Sequence, residues 1–495
     1  KNYRSISEQV INQIPSMSDW LDENYINKHN LLGWNLSINK LHKSNDGKNN
    51  LSKSYRRLVF DELCANFFTL SKNRKRIKKN KLSKKIIKEK SISIKKKLPF
   101  SLTKSQEKVL NEINEDLNSE KRMFRIIQGD VGSGKTIVSL LAISNVIESG
   151  YQCALMGPTE ILAKQHFELA KKIYKDTNFE IDFLTGKTEI KERKKILENL
   201  KTGKTNLIIG THSLFQKKIN FKRLGLAIID EQHKFGVKQR SELAKKGGNN
   251  CDVLLMSATP IPRTMMMSLY GDMDISKITE KPANRKKINT ISKPEKKINE
   301  LWPFLKKQIL NKNQIFWVCP LIEESSFLDF SSAKKKFDLI NKKFPNQVGL
   351  IHGALNKNEK EIVLKRFLDK KISILVSTTV IEVGIDFPNA NLIVIENANK
   401  FGLAQLHQLR GRVGRGEKQG TCILLFKDGL SKNAIKRIKI LKSCDDGFYI
   451  AEEDLKLRGF GDLIGYQQSG IKNFRFADPV IHEDLFKIAE KYVFS

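Results

Sequence analysis

A glycine-rich segment with one lysine has the residue types and spacing of a phosphate-binding loop. It follows a short apolar run and opens an apolar stretch from Ile137, which is the strand-to-helix context that such a loop needs. The glycines let backbone N–H groups turn inward around a phosphate, and the helix N-terminus adds positive potential. The pattern therefore predicts nucleotide binding rather than a simple glycine-rich turn. The segment is Gly129-Asp130-Val131-Gly132-Ser133-Gly134-Lys135-Thr136.

Four side chains are the candidates for nucleotide chemistry in this half of the chain. Lys135 is expected to reach the β- and γ-phosphates, and the hydroxyl of Thr136 is expected to coordinate Mg²⁺. Farther along, Asp230 and Glu231 end another apolar run. Asp230 would hold Mg²⁺ through water, and Glu231 would orient and polarise the attacking water. Acidic residues at such a position can instead cap the following helix, but their order after a phosphate-binding loop favours nucleotide hydrolysis.

A cluster of arginines among glycines is the third chemical signal, in a part of the chain without a G-x-x-x-x-G-K pattern. Arginines that reach across a cleft can stabilise the charge on a transferring phosphoryl group, which is worth roughly 10³–10⁵ in rate. We predict this role for Arg412 and Arg415. For Arg410, a contact with the phosphate backbone of a nucleic acid stays open as well. The cluster is Gln405-Leu406-His407-Gln408-Leu409-Arg410-Gly411-Arg412-Val413-Gly414-Arg415.

Two series of short apolar runs, which alternate with longer amphipathic stretches, must position these residues. Continuous apolar runs between helical patterns are typical of buried parallel strands in β-α-β units. The two series therefore predict two doubly wound α/β domains, with the chemistry beyond the carboxyl ends of the strands. The runs are Phe124–Gln128, Cys153–Met156, Asn206–Ile209, Leu226–Ile229, Val253–Met256, Ile315–Cys319, Val348–Ile351, Ile372–Val376, Leu392–Ile395 and Cys422–Phe426.

The remaining segments define the predicted domain organisation. Lys281–Arg285 has linker composition, which indicates a boundary between the two α/β domains. Residues 54–90 look like a long, increasingly basic helix, and residues 30–53 are loop-like. Ser71–Lys97 holds fourteen Lys and Arg and one acid, which is more typical of a solvated helix or linker than of a binding site. The predicted domains are a helical, basic segment at 1–98, the α/β domains at 99–283 and 284–436, and a C-terminal helical element at 437–495.

Composition restricts the class of protein without identifying it. The 495 residues include 89 Lys and Arg against 54 Asp and Glu, a formal net charge of +35. Charge alone leaves a polyanionic partner and merely solvated faces equally open. The six cysteines are scattered, as in a reduced cytosolic protein without a zinc cluster or disulfide framework. No apolar run is long enough to predict a membrane span. The start at Lys1, without Met, reads as the inside of a longer protein.

The ordered motifs resemble the motor core of a superfamily 2 helicase and, more specifically, the RecG family of bacterial branched-DNA helicases. This resemblance extends from about Tyr3 to the end of the chain. It implies a P-loop NTPase fold, with two tandem RecA-like domains between an N-terminal helical linker and a C-terminal helical-hairpin translocation element. The RecG-like segments are Asp230–Val237, Met256–Thr264, Val318–Ser325 and Phe401–Arg415.

The resemblance assigns roles to residues outside the phosphate loop. At the adenine it places Phe100, Thr103 and Gln106, and on the ATP side of the cleft it places Gly384 and Asp386. Ser257 and Thr259 would couple hydrolysis to DNA. A motor that moves on DNA without reading its sequence needs small hydrogen-bond donors that contact phosphates and not bases. Each residue with such an implied role could instead cap its own helix. The residues with implied DNA or coupling roles are Pro158, Thr159, Thr211, His212, His233, Thr378, Thr379, Arg458 and Gln468.

The C-terminal segment is similar to a translocation motif that the RecG family shares with the transcription-repair coupling factor. In that motif a helical hairpin and a following loop convert domain closure into movement on duplex DNA. Three residues depart from the usual pattern, Phe460 for proline, Asp462 for glutamate and Gln467 for arginine. The resemblance further implies that an N-terminal wedge domain, the reader of junctions, precedes this segment in the whole protein.

The implied activity is ATP-dependent DNA helicase or translocase action on branched DNA, in fork reversal and Holliday junction migration during recombination and repair. ATP and Mg²⁺ are the implied cofactors, and DNA forks and junctions the partners, with single-stranded-DNA-binding protein as a further partner. A monomer in the bacterial cytoplasm, associated with the nucleoid and not with a membrane, is expected. The alternatives are a duplex translocase of the transcription-repair coupling type and a passive nucleic-acid-binding protein.

Overall fold

The chain forms two compact units in the computed structural model, and each is described separately. One unit contains Lys1–Ile77, Ile261–Met273 and Arg458–Ser495, and the other contains Lys78–Pro260 and Asp274–Leu457. We call the first the helical unit and the second the two-sheet unit. The structure describes residues 2–43, 51–81, 83–86, 89–216, 218–231, 248–262, 271, 273–282, 285–320, 326–378, 387–416, 418–463 and 474–494, with only the backbone described at 2–5, 7–8, 43, 326–332, 357 and 458–463.

The first sheet of the two-sheet unit has seven parallel strands in the order β3-β4-β2-β5-β6-β1-β7. Strands β2, β5 and β6 are buried along their whole length because helices cover both faces of a parallel sheet. Strand β1, which leads into the phosphate loop, lies between β6 and β7. The strands are β1 Phe124–Gly129, β2 Gln152–Met156, β3 Ile181–Leu184, β4 Leu207–Gly210, β5 Leu224–Ile229, β6 Asp252–Ser257 and β7 Asp274–Ile278.

The second sheet of the two-sheet unit has six parallel strands in the order β10-β11-β9-β12-β13-β8. Its central strand β9 is fully buried and pairs with β11 and β12. Separate apolar clusters, around Phe316 and around Trp317, pack on its two faces. The strands are β8 Asn289–Pro294, β9 Gln314–Val318, β10 Val348–Ile351, β11 Ile374–Ser377, β12 Ala390–Ile395 and β13 Thr421–Phe426.

The prediction of two doubly wound α/β domains is confirmed, and each predicted apolar run lies on a strand. Three strands were not predicted: β3, β7 and β8. All three are edge strands. Because an edge strand has a neighbour on one side only, its sequence can be mixed: β3 contains Asp182 and β7 contains Lys277. A search for continuous apolar runs does not detect such strands.

Helices cover both sheets and build the helical unit. Among the described residues none of them is long and apolar enough to cross a lipid bilayer. The helices are α1 Asn2–Gln13, α2 Glu23–Lys28, α3 Trp34–Lys43, α4 Lys53–Ile77, α5 Glu89–Lys96, α6 Lys104–Asn118, α7 Lys135–Glu148, α8 Glu160–Ile173, α9 Ile190–Thr202, α10 Leu301–Leu310, α11 Ser326–Lys343, α12 Lys357–Leu368, α13 Leu403–Arg410, α14 Lys432–Ser443, α15 Gly447–Leu463 and α16 Glu483–Phe494.

The helical unit is built on the packing of α4 against α16. Val59, Phe60 and Phe67 of α4 form one core with Leu485 and Phe486 of α16. The expectation that residues 30–53 are loop-like was wrong in part, because α3 occupies Trp34–Lys43. Its polar composition gives little signal for a helix, yet α3 packs on α4.

A fully buried arginine of α4, Arg57, joins this helix to the chain segments around Asp19 and Leu32. The guanidinium of Arg57 lies 2.6 Å from Oδ1 of Asp19 and 2.9 Å from Oδ1 of Asp61, and it donates to the carbonyl of Leu32 at 3.1 Å. Paired and hydrogen-bonded in this way, the charge can be buried without an uncompensated desolvation cost.

The predicted long basic helix over 54–90 was also wrong beyond its first two thirds, since α4 ends at Ile77. The chain that follows lies along the first sheet and buries two of its lysines. Lys85 forms an ion pair with the buried Asp252 and donates to the carbonyl of Asn250 at 2.7 Å. Nζ of Lys81 lies 3.5 Å from the same carboxylate and 2.8 Å from the carbonyl of Leu117. These two lysines are structural, so the interpretation of the run as a solvated helix or linker does not hold for them.

Candidate functional site

The phosphate loop lies at the carboxyl end of β1, and α7 begins at its lysine. Gly132 and Gly134 have φ values of +75° and +87°, which L side chains rarely adopt. Nζ of Lys135 donates to the carbonyls of Gly129 at 2.8 Å and of Asp130 at 3.0 Å, so the loop curls around a buried ammonium group. Burial lowers the pKa of Lys135, and the nearby Glu231 and Asp230 carboxylates oppose that shift.

The predicted adenine segment contacts the phosphate loop through its glutamine. Thr103 caps α6, with Gln106 in a reciprocal capping box. The Nε2 atom of Gln106 also donates to the carbonyl of Ser133 at 2.8 Å, which connects the helix cap to the loop. Phe100 is 42% exposed and borders two smaller cavities of about 560 and 430 Å³.

The acidic pair stands at the carboxyl end of β5, and a histidine holds its first member. Nε2 of His166, on α8, lies 2.9 Å from Oδ2 of Asp230. Burial alone would raise the pKa of Asp230, but the hydrogen bond from His166 and the charge of Lys135 more than offset it and lower the pKa. Glu231, in a left-handed conformation with φ of +49°, has its pKa raised by burial and by the adjacent Asp230 carboxylate.

One cleft of about 1150 Å³ brings the candidate catalytic side chains of both sheets together. Helix α8 of the first domain and helix α12 of the second form its walls. Arg412 is buried close to Glu231, and the half-buried Arg415 lies close enough to Lys135 to affect its pKa. The catalytic candidates that line the cleft are Lys135, Thr136, Asp230, Glu231, Arg412 and Arg415.

Arg410 is placed differently from the other two arginines. It is buried and donates to the carbonyls of Leu441 and Cys444, the second at 3.0 Å. Its guanidinium also lies 3.1 Å from Oδ1 of Asp445. Because these contacts occupy the side chain inside the second domain, a contact with a nucleic-acid backbone, which the sequence left open, does not fit its position.

The candidate DNA residues stand at strand ends, and several make local hydrogen bonds. Thr159 caps α8, with its Oγ1 accepting from the N–H of Leu162 at 3.3 Å. Ser257 and Thr259 share a hydrogen bond of 2.9 Å between their hydroxyls. Pro158 is half-buried, Thr211 and Thr378 are buried and His212 is exposed. Gly384, Asp386, His233, Thr379 and Gln468, together with the side chain of Arg458, lie outside the described residues.

Four residues that contact the candidate site were not assigned a role from the sequence: His166, Lys281, Arg285 and His407. His407 lies within the arginine cluster. Lys281 and Arg285 are the first and last residues of the segment that was interpreted only as a linker. The partners of His166 and His407, Asp230 and Asp130, are 64 and 277 residues away along the chain. No local pattern could have indicated these pairs.

Comparisons with known proteins match the chain to helicase families in three successive segments. Residues 103–267 match the DEAD/DEAH box helicase model, and residues 296–417 match the helicase conserved C-terminal domain. Residues 444–490 match the model described as ATP-dependent DNA helicase RecG, domain 3, C-terminal. The first two matches cover most strands of the first and of the second sheet, and the third covers all of α15 and the first part of α16.

Curated relatives named ATP-dependent DNA helicase RecG match nearly the whole chain. The Thermotoga maritima protein is 43% identical over 489 residues, which are 98% of this chain and 62% of the relative. The Bacillus subtilis protein is 41% identical over 481 residues, 96% of this chain and 70% of the relative. The chain spans less than two thirds of the length of several relatives of this name, with 62% of the Thermotoga maritima protein and 58% of the Synechocystis protein.

Solved structures agree with the sequence comparison. A structure of RecG bound to a three-way DNA junction superposes with a TM-score of 0.78 at 38% identity, covering 99% of this chain and 64% of that one. Saccharomyces cerevisiae Dbp5 bound to RNA and ADP-BeF₃ has a TM-score of 0.51 at 18% identity, covering 74% of this chain and 95% of that one. The second likeness concerns the fold alone.

Proposed function

The chain belongs to the RecG family of ATP-dependent DNA helicases, and from this premise we propose that it is an ATP-driven motor that moves on duplex DNA and acts on branched DNA. One observation carries the proposal. Lys135, Asp230 and Glu231 of the first domain line the same cleft as Arg412 and Arg415 of the second. A site divided between two domains lets nucleotide binding and hydrolysis change the way they face each other.

The chemistry of the cleft follows from charge and burial. Lys135 binds the β- and γ-phosphates, and Arg412 and Arg415 stabilise the charge that develops on the transferring phosphoryl group. Glu231 orients the attacking water and accepts its proton. Burial and the adjacent Asp230 carboxylate raise the pKa of Glu231, which makes its carboxylate a stronger proton acceptor. When hydrolysis releases the phosphate, the two arginines lose their anionic partner and the cleft can reopen.

The residues present fit a nucleotide-bound Mg²⁺. Thr136 and Asp230 line the cleft together, and His166 orients the Asp230 carboxylate at 2.9 Å. In the described ranges no group of three or more His, Cys, Asp or Glu forms a metal site by itself. Mg²⁺ in such enzymes needs only one or two protein ligands because phosphates and waters complete its shell. The metal neutralises phosphate charge when it is bound.

DNA as the partner is supported by charge and by the family. The net charge of +35 favours a polyanion, and one solved relative is bound to a three-way junction. Branch recognition by this chain is part of the proposal, as the chain covers 64% of that relative. Interaction with single-stranded-DNA-binding protein, a monomeric state and a location at the bacterial nucleoid are expectations from the family.

The test is ATP hydrolysis measured without DNA, with linear duplex and with a model fork, with Lys135→Ala as the matched inactive variant. We expect DNA to stimulate turnover and the variant to lose it. Equal stimulation by both DNAs would assign fork recognition to a part of the family's proteins outside this chain, and a preference for the fork would assign some of it to these residues. Folded protein without DNA-dependent turnover would contradict the motor and leave a passive binder.

A further inference from the structure

Arg285, from the connector between the two sheets, contacts both sides of the candidate nucleotide site. The connector runs from the end of β7 at Ile278 to the start of β8 at Asn289. One terminal nitrogen of Arg285 donates to the carbonyl of Val131 in the phosphate loop. The other donates to the carbonyl of Gly411 in the arginine cluster at 3.1 Å. One planar side chain thus joins two loops whose relative position determines whether the site is assembled.

The carbonyl of Gly411 is also a partner of a catalytic candidate. Nε of Arg415 donates to it at 3.2 Å, so Arg285 and Arg415 share one acceptor. Gly411 itself packs on Val131, whose Cβ would lie 3.2 Å from a Cβ added to the glycine. If Arg415 turns toward a γ-phosphate, Arg285 still holds the Gly411 carbonyl, and the loop that carries Arg412 and Arg415 keeps its place.

A second cation of the connector contacts the same loop. Nζ of Lys281 lies 3.3 Å from Oδ2 of Asp130, and it donates to the carbonyl of Asp445 at 2.8 Å. The guanidinium of Arg285 packs over Gly132, at the position a side chain there would occupy. The connector therefore contacts three consecutive residues of the phosphate loop, Asp130, Val131 and Gly132, and not merely the chain ends that it joins.

We propose that Arg285 is a positioning residue of the ATPase, which bridges the phosphate loop and the arginine cluster so that Arg412 and Arg415 face the γ-phosphate. This inference rests on the proposed function. The guanidinium is suited to the task because its two terminal nitrogens point in fixed, separate directions. A lysine has the same charge, but its donors share one nitrogen at the end of a flexible side chain, so they do not hold two carbonyls in the fixed geometry of a guanidinium.

Hydrogen–deuterium exchange on the whole chain tests the bridge without any requirement for activity. In Arg285→Ala we expect exchange to accelerate at residues 129–136 and 410–416 together. The expected change is about fivefold, as for the loss of one hydrogen bond of ordinary strength. The matched control is Lys286→Ala, which removes an exposed cation from the adjacent position of the connector. Unchanged exchange at either segment in Arg285→Ala would overturn the bridge.

Steady-state kinetics then test the consequence for catalysis. We expect Arg285→Ala to lower kcat by about 10–100-fold, the effect of a small misplacement of catalytic groups, with less than about a threefold change in KM for ATP. Arg285→Lys should restore the charge but not the rate. A wild-type kcat in either variant, in protein whose Tm is unchanged, would refute the positioning role. An absence of DNA-dependent ATP turnover in the wild type would refute the proposed function instead. The exchange experiment would still show whether Arg285 bridges the two segments.

Discussion

Nε2 of His407 and Oδ1 of Asp130 are 2.8 Å apart, although 277 residues separate them along the chain. The pair links the arginine cluster of the second domain to the phosphate loop of the first. On the other side of the ring, Nδ1 of His407 accepts a hydrogen bond from Arg410 at 2.9 Å. Because arginine can only donate, Nδ1 has no proton, and Nε2 donates to Asp130. The relay Arg410–His407–Asp130 therefore has a defined direction.

The first prediction concerns Asp130→Asn. Burial alone would raise the pKa of Asp130, but the hydrogen bond from His407 and the charge of Lys281 lower it overall. A lowered folded-state pKa stabilises the protein above the unfolded-state value of about 3.9 and loses that stabilisation as the pH falls below it. We expect the variant to be less stable by about 1–3 kcal/mol near neutral pH.

Urea unfolding over a pH series measures this difference. The difference in unfolding free energy between wild type and Asp130→Asn should become smaller as the pH falls below about 4. Asp428→Asn removes an exposed carboxylate and is the control, expected to follow the wild type throughout. A gap that stays constant on acidification would contradict the electrostatic origin of the effect.

The second prediction concerns His166, which orients Asp230. In His166→Ala the carboxylate loses its 2.9 Å hydrogen bond. We expect the Mg²⁺ concentration for half-maximal ATPase activity to rise by about 10-fold or more, as when a partner that orients a metal ligand is removed. His166→Gln keeps an N–H donor on a flexible side chain and should recover part of the loss. An unchanged Mg²⁺ requirement in the alanine variant would exclude this role.

The third prediction separates two arginines of the same cluster. Arg415→Ala should lower kcat by about 10³-fold or more with little change in Tm, because Arg415 is half-buried and lines the cleft. Arg410→Ala should lower Tm, because it leaves the buried carbonyls of Leu441 and Cys444 without their donor. Thermal unfolding and ATP turnover on both variants check this, and equal loss of kcat and Tm in the two would show that the positions are equivalent.

The fourth prediction compares two neighbouring lysines. Lys85→Ala leaves the buried Asp252 carboxylate with a weaker partner, Lys81 at 3.5 Å, and should cost about 3–5 kcal/mol of unfolding free energy. Lys84, whose side chain is 51% exposed and pairs with an exposed Glu120, should be replaceable by Ala with no measurable change. Denaturant unfolding distinguishes the two variants. Similar stability of both would mean that the buried pair of Lys85 and Asp252 does not determine the stability of the fold.

Much of the fold was predictable because its signals are local. The continuous apolar runs of the ten predicted strands reflect burial on both faces, which constrains every residue of the strand. The edge strands β3, β7 and β8 have mixed sequences and were not predicted, whereas the edge strand β10 is apolar and was predicted. The helix α4 was predicted to continue through the basic segment because lysine favours helices, whereas the Asp252 carboxylate holds Lys81 and Lys85 in a non-helical chain.

Residue types and their spacing were enough to predict the chemistry of the candidate site and the order of its parts: a phosphate loop with Lys135, an acidic pair at Asp230 and Glu231, and an arginine cluster. The side chains that contact and orient these groups became visible only in the folded chain. In the sequence, His166, His407 and Arg285 look like many other cationic or aromatic residues. They contact the site because the parallel strands place their carboxyl ends, and the loops that follow these strands, around a common cleft. Such contacts join residues far apart along the chain, and no local pattern of residues specifies them.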